Sequence, residues 1–455
     1  MRNCCARVQW DVLIRLFFKR TFFTRLFIAA TLSVIQPQGL AQNDFAAMNA
    51  LSLADAKRVA FERNWDLLAA KSGIDAAQAQ LIVAKEFPNP TASWSTAKIG
   101  SRESGTPLGN GLWERNYDSI AAVSQLIEIG GKRHDRQVAA RAGVVGAHAA
   151  FFDARRLLDQ GVTKAYIAAV LAGENARILN ESAGYLRHEA DLAEVKFKAG
   201  AISDSDKKQI EINAEQYELQ AKSADAAAVQ ARIALEILLG VKEPKGSWRA
   251  TDSLEQLITP PVIVTNGLNP QISRPDVIAA DANLNSSVAN LKLQKAMRIP
   301  DPTISVGAEH NPPGGGPPVD TFNIAVSFPL PLWNLNGGEI KAADAARVQA
   351  QMALEKAEAQ VMADIANAGS EYDEASQRCQ RYRDQTAPKS AQVRESVAFA
   401  YEKGGASLVD LLEAERTDND IRLAAAQAQA DTASATADLQ AAENVLTETE
   451  LNSEK

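Results

Sequence analysis

Between residues 131 and 200 the apolar and small side chains fall at alternating intervals of four and three: Leu158, Val162, Ala165, Ala169, Ala172, Ala176, Leu179, Ala183, Leu186, Ala190, Ala193 and Phe197. No proline interrupts the run. This spacing is a coiled-coil seam, and a seam made mostly of alanine lets helix axes approach closely. Such a helix would extend roughly 100 Å, too far for one globular core. A second seam runs through Ile210, Ala214, Tyr217, Ala221, Ala224, Ala228, Ala231, Leu235 and Leu238 and stops at Gly240 and Pro244. That helix is roughly 55 Å long, and one over 65–86 adds roughly 33 Å. Placed end to end, the two short helices nearly match the long one. The same arithmetic returns later. Residues 339–403 would give roughly 98 Å, against roughly 36 Å for 275–298 and roughly 60 Å for 407–446. Pro388 is the one interruption, expected as a kink or a stutter. The second seam is also more polar than the first.

Between the short and long helices the period changes to two. Thr303-Ile304-Ser305-Val306-Gly307-Ala308-Glu309 alternates apolar and polar, and so does Phe322-Asn323-Ile324-Ala325-Val326-Ser327-Phe328. The pattern predicts strands at about 303–309 and 321–328, in a sheet with one apolar and one wet face. Weaker alternation predicts their counterparts at about 91–99 and 117–126. The segments 100–116 and 310–320 are rich in glycine and proline and read as exposed loops.

The chain states this pattern twice. Phe87-Pro88-Asn89-Pro90-Thr91 returns as Ile299-Pro300-Asp301-Pro302-Thr303, and Val123-Ser124 as Val326-Ser327. Phe197-Lys198-Ala199-Gly200-Ala201-Ile202-Ser203 returns as Tyr401-Glu402-Lys403-Gly404-Gly405-Ala406-Ser407, with Asp206 answered by Asp410. The first repeat is assigned to 42–260 and the second to 261–455, with hairpin tips at about 200 and 404. The fold class is mainly α with a small β part: a duplicated long-helix coiled coil carrying four strands.

The first 41 residues read as a secretory signal. Arg2, Arg7, Arg15, Lys19, Arg20 and Arg25 precede a short apolar stretch ending near Ile35, and Gly39-Leu40-Ala41 supplies small residues for cleavage after Ala41. The alternative, a membrane anchor, needs about 20 apolar residues. Removing the leader, net +5, takes the charge from −8 to −13. An acidic exported chain is no general nucleic-acid binder. Cys4 and Cys5 leave with the leader. Cys379, alone afterwards, forms no intramolecular disulfide and no zinc site.

No other apolar run reaches the length of a membrane-spanning helix, so entry into a membrane requires a closed barrel. Four strands do not close around a channel. Three chains would pool twelve, above a shared tunnel of long helices.

At these residues the chain resembles the TolC family of outer-membrane efflux proteins, over essentially its whole mature length. The resemblance rests on the duplicated tips at Gly200 and Gly404, the Pro-x-Pro-Thr strand starts and the Gly130-Gly131-Lys132-Arg133 exit. The run from Val326 through Pro329-Leu330-Pro331-Leu332 to Asn334-Leu335-Asn336-Gly337-Gly338 is similar to the cobalt–zinc–cadmium resistance branch. Leu335 stands where an arginine is common there. Some relatives are lipidated on an N-terminal cysteine; none lies at this cleavage site.

The resemblance implies a homotrimer with a twelve-stranded barrel in the lipid of a Gram-negative outer membrane and an α-helical tunnel crossing the periplasm. It implies a passive exit duct, not an enzyme, that needs no cofactor. The tips would meet a periplasmic adaptor and an inner-membrane pump of the RND type. Heavy-metal cations are the first cargo it points to; organic toxins and secreted polypeptides stay open.

The tip residues suit that role. Gly200 and Gly404 permit the left-handed backbone of a tight helix end, and Ser203 and Ser407 are placed to cap the returning helices. Phe197 and Tyr401 flank the turns, giving six adaptor-docking positions. Asp410 and Glu413 lie three apart on one helical face and match the family's acidic gate pair, with Asp206 the companion in the first repeat. In a trimer each becomes a ring of three carboxylates, which favours cations. For Asp204 and Asp206, acids at a helix N-terminus also serve the helix dipole alone.

Other chemistry has little support. His134, His148, His188 and His310 are scattered without metal-ligand spacing, and Gly130-Gly131-Lys132 lacks the rest of a phosphate loop. No pair of residues stands out as catalytic. A periplasmic coiled-coil scaffold without a pore remains the competing class; it leaves unexplained why paired strands interrupt both repeats at the same place.

Overall fold

The computed structural model describes residues 50–97, 118–260, 274–311 and 319–444. The expected leader with its cleavage site, the loop 100–116, the middle of the second loop and the junction between the repeats lie outside the described residues.

The chain opens with β1 (Ala50–Leu51), α1 (Leu53–Arg63) and α2 (Trp65–Lys85). α1 lies ahead of the helix expected over 65–86 and is an addition to the expected plan. Asn64 divides the two helices: its side chain accepts from the Leu67 N–H at 3.0 Å and so caps α2. The hairpin of β2 (Thr91–Ala97) and β3 (Asp118–Leu126) feeds α3 (Lys132–Lys198), one unbroken helix of 67 residues. α4 (Asp204–Leu238) returns along it, followed by β4 (Arg249–Ala250) and a single turn, α5 (Leu254–Leu257).

The second half repeats the plan with α6 (Pro275–Ala296), β5 (Thr303–Asn311), β6 (Val319–Ser327) and α7 (Gly337–Arg381). A π-helical turn (Tyr382–Thr386) joins α7 to α8 (Ala387–Glu402), and α9 (Leu408–Ala442) returns. Pro388 explains the π turn. It has no N–H, and its ring would meet the carbonyl four residues back. The helix widens just ahead of it: the Ala387 N–H reaches the Tyr382 carbonyl, five residues back. The chain then continues as helix, so the interruption is a stutter and not a break.

The alanine seams supply most of the buried positions of these helices, although Leu158, Ala165, Ala172 and Leu179 are half-buried and Phe197 is exposed. Val162, Ala169, Ala176, Ala183, Leu186, Ala190 and Ala193 are buried on α3, and Ile210, Ala214, Ala221, Ala228 and Leu235 on α4. α3 packs against α2 and α4 of its own repeat and against α6 and α9 of the other. α7 packs on α6 and α9.

The four long strands form one antiparallel sheet in the order β2-β3-β5-β6. The two hairpins meet between β3 and β5, where Ser124 lies opposite Ser305 and Val123 opposite Val306. Register puts Ala92, Trp94, Ala121, Val123, Ile304, Val306, Phe322, Ile324 and Val326 on one face. Serine, threonine and asparagine dominate the other. β5 runs beyond the expected end, so His310, read as a loop residue, is in the strand and pairs with Asp320 at 2.6 Å. Lys132 is almost fully buried; it bridges Asp301 at 2.8 Å and the Ile299 carbonyl, tying the first long helix to the start of β5.

A small belt crosses the helices near the middle of α3. β1 and β4 pair in parallel over two residues. Tyr166 is completely buried beneath them, stacked on Trp248 at 5.9 Å. Its hydroxyl donates to Leu51 O at 2.8 Å and contacts Asp252 Oδ2 at 2.9 Å. Burial, then Asp252, pushes the phenol up to about 12. Tyr166→Phe removes the hydroxyl from both acceptors, although Leu51 O keeps the Thr251 N–H at 3.1 Å and Asp252 Oδ2 keeps the Leu53 N–H at 2.8 Å. It should lower unfolding stability by about 1–2 kcal/mol, read by chemical denaturation in detergent. Among the described residues, no helix is long and apolar enough to cross a membrane.

Candidate functional site at the hairpin tips

The sheet lies at the start of the long helices and the turns at their far ends, roughly 100 Å away along α3. Both turns have the same construction. Gly200 has φ +74° and Gly404 φ +76°. The Gly200 N–H bonds Phe197 O at 2.9 Å, and the Ala201 N–H bonds Lys196 O at 2.9 Å. Gly404 to Tyr401 and Gly405 to Ala400 repeat this at 3.0 and 2.8 Å. These paired bonds are the Schellman closure of a helix end.

The returning helices start with matched capping boxes. Ser203 Oγ accepts from the Asp206 N–H at 3.0 Å, while Asp206 Oδ2 takes the Ser203 hydroxyl at 2.8 Å. Ser407 and Asp410 repeat the arrangement at 3.2 and 2.7 Å, and the Ser407 N–H adds a bond to Asp410 Oδ2 at 3.0 Å. The donors of Ser407 hold the Asp410 carboxyl below its usual range. Asp206 and Asp410 therefore have a local structural task that spacing alone did not reveal. Glu413 is exposed.

The two tips touch. Lys196 of the first hairpin lies 5.1 Å from the Tyr401 ring of the second. Burial, then the charges of Glu189 and Asp206, push the Tyr401 phenol up. Lys207 Nζ sits 5.4 Å from the exposed Phe197 ring. Beneath them, Leu186, Ala190, Ala193, Ile210 and Ala214 form a core onto which Leu408 and Leu412 pack. Lys196 and Tyr401 are thus brought together from different repeats.

A polar brace above the tips escaped the sequence reading. Ser390 Oγ donates to Asp418 Oδ1 at 2.7 Å, and Arg394 Nε lies 3.1 Å from Asp418 Oδ2, joining α8 to α9. Ser182 Oγ donates to Asn419 Oδ1 at 2.8 Å, joining α9 to α3. Glu415 lies beside this group, and burial pushes its carboxyl up. The available signal was polarity in the second seam: Asp418 and Asn419 are buried. Among the described residues, no group of His, Cys, Asp and Glu is arranged to hold a metal ion.

Duplicated long hairpins with an amphipathic sheet at one end and capped tips at the other define a tunnel-forming channel subunit. The chain belongs to the outer membrane efflux protein family, which matches residues 58–241 and 271–445. It is similar to the cobalt-zinc-cadmium resistance protein CzcC of Cupriavidus metallidurans, at 25% identity covering 82% of this chain and 84% of that protein. It is also similar to the probable outer membrane lipoprotein SilC of Salmonella typhimurium, at 24% identity covering 79% and 78%. The fold matches the crystal structure of CusC with a TM-score of 0.71, at 18% identity over 89% of this chain and 95% of that one.

Proposed function

We propose that this chain is the outer-membrane duct of a tripartite pump that expels heavy-metal cations. Three copies would pool their strands into one twelve-stranded barrel and their helices into a periplasmic tunnel. The two repeats, 42–260 and 261–455, would each supply half of a protomer's wall. The observation that carries this reading is the sheet. Its apolar face is exposed in a single chain, with Phe322 85% and Ile324 77% accessible. A lipid-facing band and a polar lumen require this alternation, and open strand edges do not face lipid. A pore-free scaffold has no use for either.

The metal cargo is supported by the resistance proteins among the relatives. The tips at Phe197, Gly200, Ser203, Tyr401, Gly404 and Ser407 would receive the periplasmic adaptor, behind which an RND-type pump supplies the energy. Asp410, Glu413 and Asp206 would form the periplasmic gate.

Native mass spectrometry of detergent-extracted protein should give a trimer, and cell fractionation should place it in the outer membrane. A stable monomer in the periplasmic fraction would favour the scaffold. Deletion should lower tolerance to cobalt, zinc or cadmium; a strain sensitised only to organic toxins would move the cargo to that class.

A further inference from the structure

The duplicated chain contains a specimen of a joint that it also leaves open. Inside one chain the first hairpin meets the second through β3 and β5. Among the described residues the outer strands, β2 and β6, each have a neighbour on one side only. We propose that β6 of one copy pairs antiparallel with β2 of the next in the register of the internal joint, setting Ser327 opposite the neighbouring copy's Ser93. The inference rests on the trimeric channel reading and goes beyond it by fixing which residues meet.

The register follows from equivalences within the sheet. Thr91 lies opposite Ser124 in the first hairpin, and Thr303 opposite Ser327 in the second. Thr91 and Thr303 are therefore equivalent, and so are Ser124 and Ser327. At the internal joint Ser124 faces Ser305, two residues beyond Thr303. The residue two beyond Thr91 is Ser93. Val123 opposite Val306 likewise becomes Val326 opposite Trp94, which keeps both on the apolar face.

Hydrogen-bond parity is consistent with this register. The Ile127 N–H bonds Pro302 O at 2.9 Å, so Val123–Val306 is a bonded pair and Ser124–Ser305 a non-bonded one. By the same alternation Ser327 aims its backbone groups at β5, and Ser93 aims its own at β3. At the outer edges both belong to the non-bonded class, which the proposed pairing requires. Pro90 also fits: its equivalent, Pro302, only accepts at the internal joint. One feature does not transfer. Asn89 stands where Asp301 meets Lys132, so the buried ion pair is confined to the internal joint and the strand ladder carries the external one.

A slip of one residue would turn Phe322, Ile324 and Val326 to the polar side. The nearest competitors are slips of two, setting Ser327 opposite Thr91 or Ser95. The test is cysteine pairing. Non-bonded antiparallel partners have Cα atoms about 4.5 Å apart, within disulfide range. Within one chain the two sites lie three strand spacings apart, roughly 14 Å, so any disulfide links two copies. Cys379 is buried. Oxidised S93C/S327C protein should run as covalent dimers and trimers on non-reducing gels. The slipped pairs T91C/S327C and S95C/S327C should give roughly tenfold less, being outside favourable geometry. Native mass spectrometry of the unoxidised protein reports assembly separately. A trimer in which a slipped pair links best overturns the register and leaves the channel standing. A monomer overturns both.

Discussion

Replacing Asp410 by asparagine and Glu413 by glutamine together should cut the cation preference of the reconstituted channel roughly tenfold, the scale set by a local potential of a few kT. In the proposed trimer the pair would contribute six carboxylates at the periplasmic gate, and rings of this kind favour cations. The two residues should not contribute alike. Both are exposed, but the Asp410 carboxylate is held by the hydroxyl and N–H of Ser407, and Glu413 lies outside that cap. Glu413→Gln alone should therefore remove the larger share. Asparagine at 410 keeps an oxygen for the Ser407 N–H, so loss of charge is separated from loss of the cap, which is worth about 1 kcal/mol. The Asp410 carboxyl is depressed by these donors. Its contribution to the cap is complete above the ordinary carboxylate range and is lost only as pH falls through the depressed value. The Asp410 share of selectivity should accordingly persist into mild acid. Reversal potentials under a salt gradient in planar bilayers read all of this. Unchanged selectivity in the double variant would move both residues to the outer wall and out of the gate.

Gly404→Val should abolish metal tolerance and adaptor cross-linking. Beyond its immediate chain neighbours, nothing in the chain lies within 4 Å of the position a Cβ would take at Gly404, so crowding within the chain plays no part. The penalty is in the backbone. At φ +76° a side chain costs roughly 1–2 kcal/mol, and more when β-branched. Relaxing that strain would break both closing bonds, to Tyr401 and Ala400, and shift Ser407 relative to α9. Gly404→Asn should be tolerated, since asparagine visits this region. Full activity of the valine variant would show that the turn plays no part in docking.

The contrast between these residues and the belt shows what was legible in the sequence. The seams were readable because a helix of 67 residues repeats its period many times, and Ala183, Ala190 and Ala193 are buried where the spacing put them. Gly200 and Gly404 were readable because few other residues adopt positive φ. The belt was not. Two-residue strands carry no periodicity, and what fixes β1 and β4 is a tyrosine more than a hundred residues away from Leu51. The capping role of Asp206 and Asp410 was hidden by a coincidence of chemistry. An acid three residues after a serine serves a helix start and a gate equally well, and only atomic positions distinguish the cap. Ser390, Arg394 and Asp418 were opaque because polar residues at seam positions ordinarily signal exposure, and here they pair across helices.

The alanine seams have a consequence for the thermodynamics of assembly. Leucine or methionine loses rotameric freedom when it is buried, and a long interface built from them would accumulate that loss at every turn. Alanine has no χ angle to freeze, so its side-chain ordering entropy is about zero. Ala169, Ala176, Ala183 and Ala190 are all buried on α3, yet each contributes contact without that loss. A rod built this way gains little per residue and forfeits little per residue. Its cohesion accumulates with length, which accounts for walls of such extent made from so small a side chain.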